Sequence, residues 1–165
     1  LDSAPGAGTT ARVILPRAGT LEFDVQPEPE EQVEPVAPAT GGDRTVLLAE
    51  DSAHVRALIR LALSESGYDL LEARDGEHAL EVAGGHPGEI DLLVTDIAMP
   101  GLDGPELYRR LREQRPGLRV LYVSGNPEDA PREHGIGGHA VLGKPFALAD
   151  LTARVREALD RRAAV

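Results

Sequence analysis

The chain has 165 residues, 41% of them apolar, and a formal net charge of −11, which suits one domain of ordinary size or one domain plus a tail. The acidic balance argues against nucleic-acid binding through a basic surface, and the absence of cysteine excludes disulfides, thiolate catalysis and Cys-based zinc sites. No apolar run approaches the roughly 20 residues of a membrane span, and no signal-peptide pattern opens the sequence, so we expect this segment to make no membrane contact.

The first 43 residues differ from the rest in composition. They hold 8 acidic and 2 basic residues and 6 of the 13 prolines. Residues 24–43 alternate Pro with Glu and cannot bury enough apolar surface to fold, which predicts an extended acidic linker. Ahead of it, residues 11–15 and 20–25 are predicted as two short strands, which are marginal in isolation.

From residue 44 onward, short apolar runs alternate with helical patterns. The predicted strands cover residues 45–49, 69–73, 91–95, 119–123 and 139–142. The predicted helices cover residues 53–66, 77–83, 104–114 and 148–162. A fourth helix between residues 126 and 134 is expected to be short or broken, because Pro127 lies near its start and Pro131 lies inside it. Repeated strand–helix alternation predicts a parallel sheet with right-handed crossovers.

Chemically useful side chains follow four of these strands. Glu50 and Asp51 follow the first, Asp96 the third, Ser124 the fourth and Lys144 the fifth. The carboxyl ends of parallel strands share one edge of the sheet, so these groups should converge there. Three clustered carboxylates require protons or a cation, and hard oxygen ligands favour Mg²⁺. We also expect at least one of the carboxyl groups to have a raised pKa in the empty site. A lysine and a hydroxyl opposite them suit the oxygens of a transferred phosphoryl group.

Each element also has a plainer interpretation. Glu50 and Asp51 could be an acidic pair at a helix N-terminus, Asp96 could belong to a turn, and Ser124 could cap the fourth helix. Their joint occurrence in this order favours the functional interpretation. Lys144 strengthens it, because all 16 other basic residues are Arg and a single Lys indicates a need for a compact point charge.

These residues resemble the receiver domains of two-component signalling. The resemblance spans residues 44–162 and rests on Glu50–Asp51, the loop DIAMPGLDG that begins at Asp96, the Ser-Gly pair at Ser124, and the Lys-Pro-Phe run at Lys144. It implies a flavodoxin-like, doubly wound five-stranded parallel sheet of order 2-1-3-4-5 with helices on both faces.

The resemblance also implies residue roles. Asp96 would accept a phosphoryl group from phosphohistidine. Mg²⁺ would be held by Glu50, Asp51, Asp96 and the Ala98 carbonyl. Ser124, Lys144 and nearby backbone amides would hold the phosphoryl oxygens. The domain would catalyse its own phosphotransfer and slow dephosphorylation, without being a kinase by itself.

Residues 3–16 resemble the last hairpin of a histidine-kinase ATP-binding domain. The resulting prediction is a kinase remnant at 1–23 that does not bind ATP, a linker at 24–43, a receiver at 44–162 and a tail at 163–165. This layout is that of a bacterial hybrid histidine kinase. The partners would be a histidine kinase or histidine phosphotransfer protein, with no nucleic acid. The fragment would be cytoplasmic and monomeric, and the parent kinase could be membrane-anchored.

Two other function classes stay open. One is a phosphatase or hydrolase with an Asp nucleophile, although many of these carry a second acid two residues after the nucleophile, where this chain has Ala98. The other is a receiver-shaped interaction module that phosphorylation does not regulate.

Receivers usually carry Tyr or Phe three residues before the site lysine. Here that position is Val141, which predicts little movement of the fifth strand on phosphorylation. The five histidines lack paired metal spacing and are predicted to lie on the surface or in loops.

Overall fold

The computed structural model describes residues 2–4, 8–10 and 43–160. The chain divides into two units, Leu1–Pro35 and Val36–Val165. In the first unit, strands β1 (Asp2–Ala4) and β2 (Gly8–Thr10) pair antiparallel, with Ser3 opposite Thr9. The strands predicted at 11–15 and 20–25, the linker before residue 43 and the tail at 163–165 lie outside the described residues.

The second unit alternates strands and helices in the predicted order. Its strands are β3 (Thr45–Ala49), β4 (Asp69–Ala73), β5 (Leu92–Asp96), β6 (Arg119–Ser124) and β7 (Ala140–Gly143). Its helices are α1 (Ala53–Glu65), α2 (Gly76–Gly85), α3 (Gly104–Gln114), α4 (Ala130–Glu133) and α5 (Leu148–Asp160). Strands β5 and β7 each start and end one residue later than predicted. Asp96 and Gly143 are therefore the last residues of their strands.

The five strands form one parallel sheet of order β4-β3-β5-β6-β7. This is the predicted flavodoxin-like 2-1-3-4-5 order. The three central strands are almost wholly buried, whereas β4 and β7 at the edges are only partly covered. That difference explains why the central strands are continuous apolar runs: both of their faces are covered by helices.

Alternate residues of each central strand enter two separate cores. On one face, Leu47, Leu93 and Tyr122 pack with apolar residues of α2 and α3. On the other face, Leu48 and Val94 pack with residues of α1 and α5. This period-two division fixes the register of the sheet, and with it the position of every strand end.

The helices begin at residues suited to starting them. The Asp75 carboxylate accepts a hydrogen bond from the His78 amide at the start of α2, and Asp103 accepts one from Glu106 at the start of α3. Helix α4 is only four residues long, as the prolines predict, but Pro131 lies in its first turn, where proline is tolerated, rather than inside it. Within the described residues, no helix has the length and apolar character needed to cross a membrane.

Glycine is required where α3 meets the sheet. A Cβ atom on Gly104 would overlap the backbone carbonyl oxygen of Asp96 and press on Thr95. The Gly104 amide donates to the Ile97 carbonyl at 3.0 Å. The start of α3 therefore packs directly against the backbone of Asp96 and supports the end of β5.

Candidate functional site

Three carboxylates converge at the carboxyl edge of the sheet. Oxygens of Glu50, Asp51 and Asp96 lie within 4.8 Å of one another, and these residues form the only such group of three or more metal-ligating side chains among the described residues. They come from adjacent strands, because Glu50 and Asp51 follow β3 and Asp96 ends β5. The chemistry of this donor set, all hard carboxylate oxygens, fits a cation such as Mg²⁺.

The two members of the acidic pair differ in environment. Glu50 is 1% exposed, whereas Asp51 is exposed. Helix α1 begins only at Ala53, with Ser52 as its N-cap residue and no acidic residue in its first turn. The pair therefore lies just before the helix, and the Glu50 carboxylate accepts a hydrogen bond from the Ser52 amide at 3.2 Å. A helix-terminal role and membership of the carboxylate cluster are both compatible with this position.

Lys144 lies between Asp96, the candidate nucleophile, and Glu50 of the acidic pair. Its Nζ donates to Asp96 Oδ2 at 2.6 Å and to Glu50 Oε2 at 2.9 Å. Its backbone amide donates to the Ser124 carbonyl at 2.7 Å, and the peptide bond between Lys144 and Pro145 is cis. The single lysine of the chain thus places its charge between two carboxylates at the sheet edge.

The pKa values of these groups shift in opposing ways. Burial raises the pKa of Glu50, and the charge of Asp96 adds to the increase, while the hydrogen bond and charge of Lys144 lower it. Burial lowers the pKa of Lys144, but its bonds to Asp96 and Glu50 outweigh this and raise the net value. The expectation of a raised carboxyl pKa is confirmed at Glu50, with burial rather than charge proximity as the main cause.

Ser124 lies one strand away from Asp96. It is 7% exposed, and its Oγ accepts a hydrogen bond from the Asn126 amide at 3.0 Å. The N-cap position of α4 is held by Asp129, so Ser124 does not cap that helix. This accepted bond uses only a lone pair of Oγ, and the hydroxyl can still donate its hydrogen to a group placed at the sheet edge.

The remaining predicted ligand is the carbonyl of Ala98 in the loop after β5. The Ala98 amide donates to Asp96 Oδ1 at 3.2 Å, which holds the aspartate against its own loop. The structure therefore brings Glu50, Asp51, Asp96 and Lys144 into one cluster, with Ser124 and Ala98 at its border.

The sequence did not reveal two features of the structure. Arg56, on α1, donates from Nη1 to the Glu50 carbonyl at 2.8 Å, and no pattern in the sequence indicated this contact. His139 lies in the loop before β7, as the prediction of a surface or loop position allows. The sequence did not indicate that it is half-buried or that it makes edge-on contacts with the rings of Tyr108 and Tyr122, at centroid distances of 5.2 and 5.9 Å.

Comparisons with known proteins agree with this geometry. Residues 46–156 match the response regulator receiver domain. The chain is 38% identical to the sensor kinase CckA of Brucella abortus (strain 2308) over 168 residues, which covers 98% of this chain and 18% of CckA. It is 36% identical to the sensor protein EvgS of Escherichia coli (strain K12) over 152 residues, covering 90% of this chain and 12% of EvgS. The chain therefore spans less than a fifth of either relative.

A solved structure shows the same fold. The crystal structure of the receiver domain from the hybrid histidine kinase CckA matches with a TM-score of 0.60 at 36% identity, covering 70% of this chain and 98% of that one. Family match, strand order and the cluster at the sheet edge lead to one conclusion. The chain belongs to the response regulator receiver family of two-component signalling.

Proposed function

We propose that Asp96 accepts a phosphoryl group from the phosphohistidine of a histidine kinase or histidine phosphotransfer protein, in a Mg²⁺-dependent reaction. The observation that carries this proposal is the position of Lys144, whose Nζ bonds both Asp96 and buried Glu50. A cation held between the nucleophile and the acidic pair suits charge that develops on transferred phosphoryl oxygens.

The residues at the sheet edge divide the work of the transfer. A carboxylate oxygen of Asp96 attacks phosphorus, the P–N bond breaks, and its electron pair goes to the histidine nitrogen. Lys144 remains charged at neutral pH, because its pKa is raised by its carboxylate partners, and it neutralises the phosphoryl oxygens. The Ser124 hydroxyl donates to one of them. Hydrolysis of the acyl phosphate later returns Asp96 to its free form, so the domain catalyses both steps on itself.

The metal would be held by Glu50, Asp51, Asp96 and the Ala98 carbonyl. When bound, Mg²⁺ supplies positive charge that stabilises the phosphoryl oxygens in the transition state. Both Glu50 oxygens already accept hydrogen bonds, from Lys144 and from the Ser52 amide. The exposed Asp51 carboxylate has no hydrogen-bond or ion-pair partner within the described residues, which leaves its oxygens free for the ion.

The chain is further proposed to derive from a hybrid histidine kinase, with its receiver after an acidic linker. Two findings support this: the similarity to CckA extends over 98% of the chain, beyond residues 46–156, and residues 2–4 pair with 8–10 as a hairpin would. The receiver would act in the cytoplasm as a monomer and exchange phosphoryl groups with protein partners.

Intact-mass measurement after incubation with acetyl phosphate and Mg²⁺ tests the proposal. The wild-type protein should gain one phosphoryl group, and Asp96→Asn should gain none. Asp103→Asn is the matched control, since it changes the other aspartate of the same loop, a helix cap, and should label like wild type. Equal labelling of Asp96→Asn would refute the assignment of the acceptor.

A phosphate-release assay run beside the mass measurement separates the rival functions. Steady release of phosphate from a series of phosphate esters would identify a phosphatase. A protein that neither gains mass nor responds to Mg²⁺ would be an interaction module.

A further inference from the structure

The bond between Arg56 and the Glu50 carbonyl has no role in the phosphotransfer described above. Arg56 lies on the first turns of α1 and is half-buried. Its Nη1 donates to the Glu50 carbonyl at 2.8 Å, and its backbone amide donates to the Ser52 carbonyl at 2.9 Å. One residue therefore contacts the chain on both sides of Asp51.

Within the described residues the Glu50 carbonyl has no strand partner. The Glu50 amide bonds the Ala73 carbonyl of β4, and the parallel pairing of β3 with β4 ends at Ala49 opposite Ala73. The carbonyl of Glu50 therefore lies beyond that ladder, where the chain turns toward α1. With Arg56 in place, every polar atom of Glu50 is bonded. Its amide donates to the Ala73 carbonyl, its two carboxylate oxygens accept from Ser52 and Lys144, and its carbonyl accepts from Arg56.

Asp51 depends on this framework. It is exposed, and within the part of the chain that the structure describes its carboxylate makes no bond that would orient it. Its direction toward Asp96 is therefore set by the backbone of residues 50–52. The Ser52 side chain makes no capping hydrogen bond at the start of α1. Arg56 therefore constrains a backbone segment that no capping side chain holds.

We propose that Arg56 is a positioning residue for the metal site: its bond to the Glu50 carbonyl fixes the backbone that presents the Asp51 carboxylate to Mg²⁺. The inference rests on the proposed function, since it takes Asp51 as a metal ligand. Groups that hold a metal ligand in place typically change metal affinity by roughly 10- to 100-fold when they are removed.

The sign of the effect distinguishes positioning from simple electrostatics. Arg56 donates to a carbonyl and makes no bond to a carboxylate oxygen of the cluster. If only its charge mattered, removing it would make the acidic site more negative and strengthen Mg²⁺ binding. If its bond orients Asp51, removing it weakens Mg²⁺ binding. The two explanations therefore predict opposite changes.

The test is a Mg²⁺ titration of the metal-free protein followed by backbone amide NMR shifts, well below the melting temperature of each variant. Arg56→Met keeps the apolar stem but removes the donor and the charge, and it should raise the Mg²⁺ dissociation constant by about tenfold. Arg60→Met is the matched control: Arg60 lies one turn further on α1, half exposed, 3.7 Å from Glu72. It should bind Mg²⁺ as tightly as wild type or slightly more tightly.

Arg56→Lys keeps the charge and one donor group and should recover part of the affinity. If Arg56→Met does not fold, Arg56→Lys decides the question, because its charge is unchanged and weaker binding then reports geometry. Wild-type affinity in Arg56→Met, or in Arg56→Lys where only that variant folds, would overturn the positioning role. A wild-type protein that shows no Mg²⁺ response would instead refute the proposed function.

Discussion

Replacing Lys144 with methionine removes the cation between Glu50 and Asp96 and keeps a similar side-chain volume. Hydrogen bonds to charged groups contribute roughly 1.5–3 kcal/mol each, and Lys144 makes two, at 2.9 and 2.6 Å. The lysine side chain is 24% exposed, so solvent screens part of this, and removing it also recovers the cost of its own burial. We expect the metal-free variant to lose about 2 kcal/mol of unfolding free energy at neutral pH.

The loss should depend on pH in a defined direction. The pKa of Glu50 is already raised above its ordinary value of 4.5 by burial, although Lys144 lowers it. Without Lys144 the pKa rises further, so folded Glu50 retains a proton at pH values where the unfolded chain has released it. The folded state then binds more protons, and stability falls as pH rises through this window above 4.5. The deficit of Lys144→Met should therefore shrink as the pH is lowered.

Urea denaturation followed by circular dichroism, with metal removed by a chelator, measures both effects. Arg154→Met is the control, because it removes a cation from the exposed pair with Glu157 on α5 and should cost at most about 0.5 kcal/mol. A Lys144→Met deficit that is absent at neutral pH, or that does not change on acidification, would show that the lysine does not compensate buried Glu50.

Three further outcomes are expected. Asp51→Ala should lose the Mg²⁺-dependent rise in melting temperature that metal binding gives the wild type by mass action; a full rise would remove Asp51 from the metal site. Gly104→Ala should destabilise the domain by about 2 kcal/mol and slow Asp96 labelling by acetyl phosphate, because the added Cβ would overlap the Asp96 carbonyl oxygen. The control Gly117→Ala should do neither, because a Cβ at residue 117 would enter open space. Burial lowers the pKa of His139, so the wild type should lose stability relative to His139→Phe as pH falls below about 6.5; pH-independent stability differences in urea titrations would contradict this.

The parallel sheet and the location of the site follow from the residue pattern, whereas the strand order was implied by the resemblance to receiver domains. Nearly continuous apolar runs, such as those at residues 45–49 and 119–123, indicate strands that are covered on both faces. Strand–helix alternation makes the sheet parallel, and parallel strands place all their carboxyl ends at one edge. Glu50, Asp96 and Lys144 are therefore brought to that edge whatever the details of packing.

The differences within the cluster required the tertiary structure. Glu50 and Asp51 are adjacent acidic residues with nothing in the sequence to rank them, yet one is buried under Lys144 and the other is exposed, because consecutive side chains leave a strand end in opposite directions. The contacts of Arg56 with residue 50 and of His139 with Tyr108 and Tyr122 arise where a helix and a loop cross the ends of strands. Such contacts depend on how α1 and the segment before β7 lie on the sheet. Hydrophobic periodicity does not specify this, because it identifies the buried face of an element but not the polar atom that lies opposite that face.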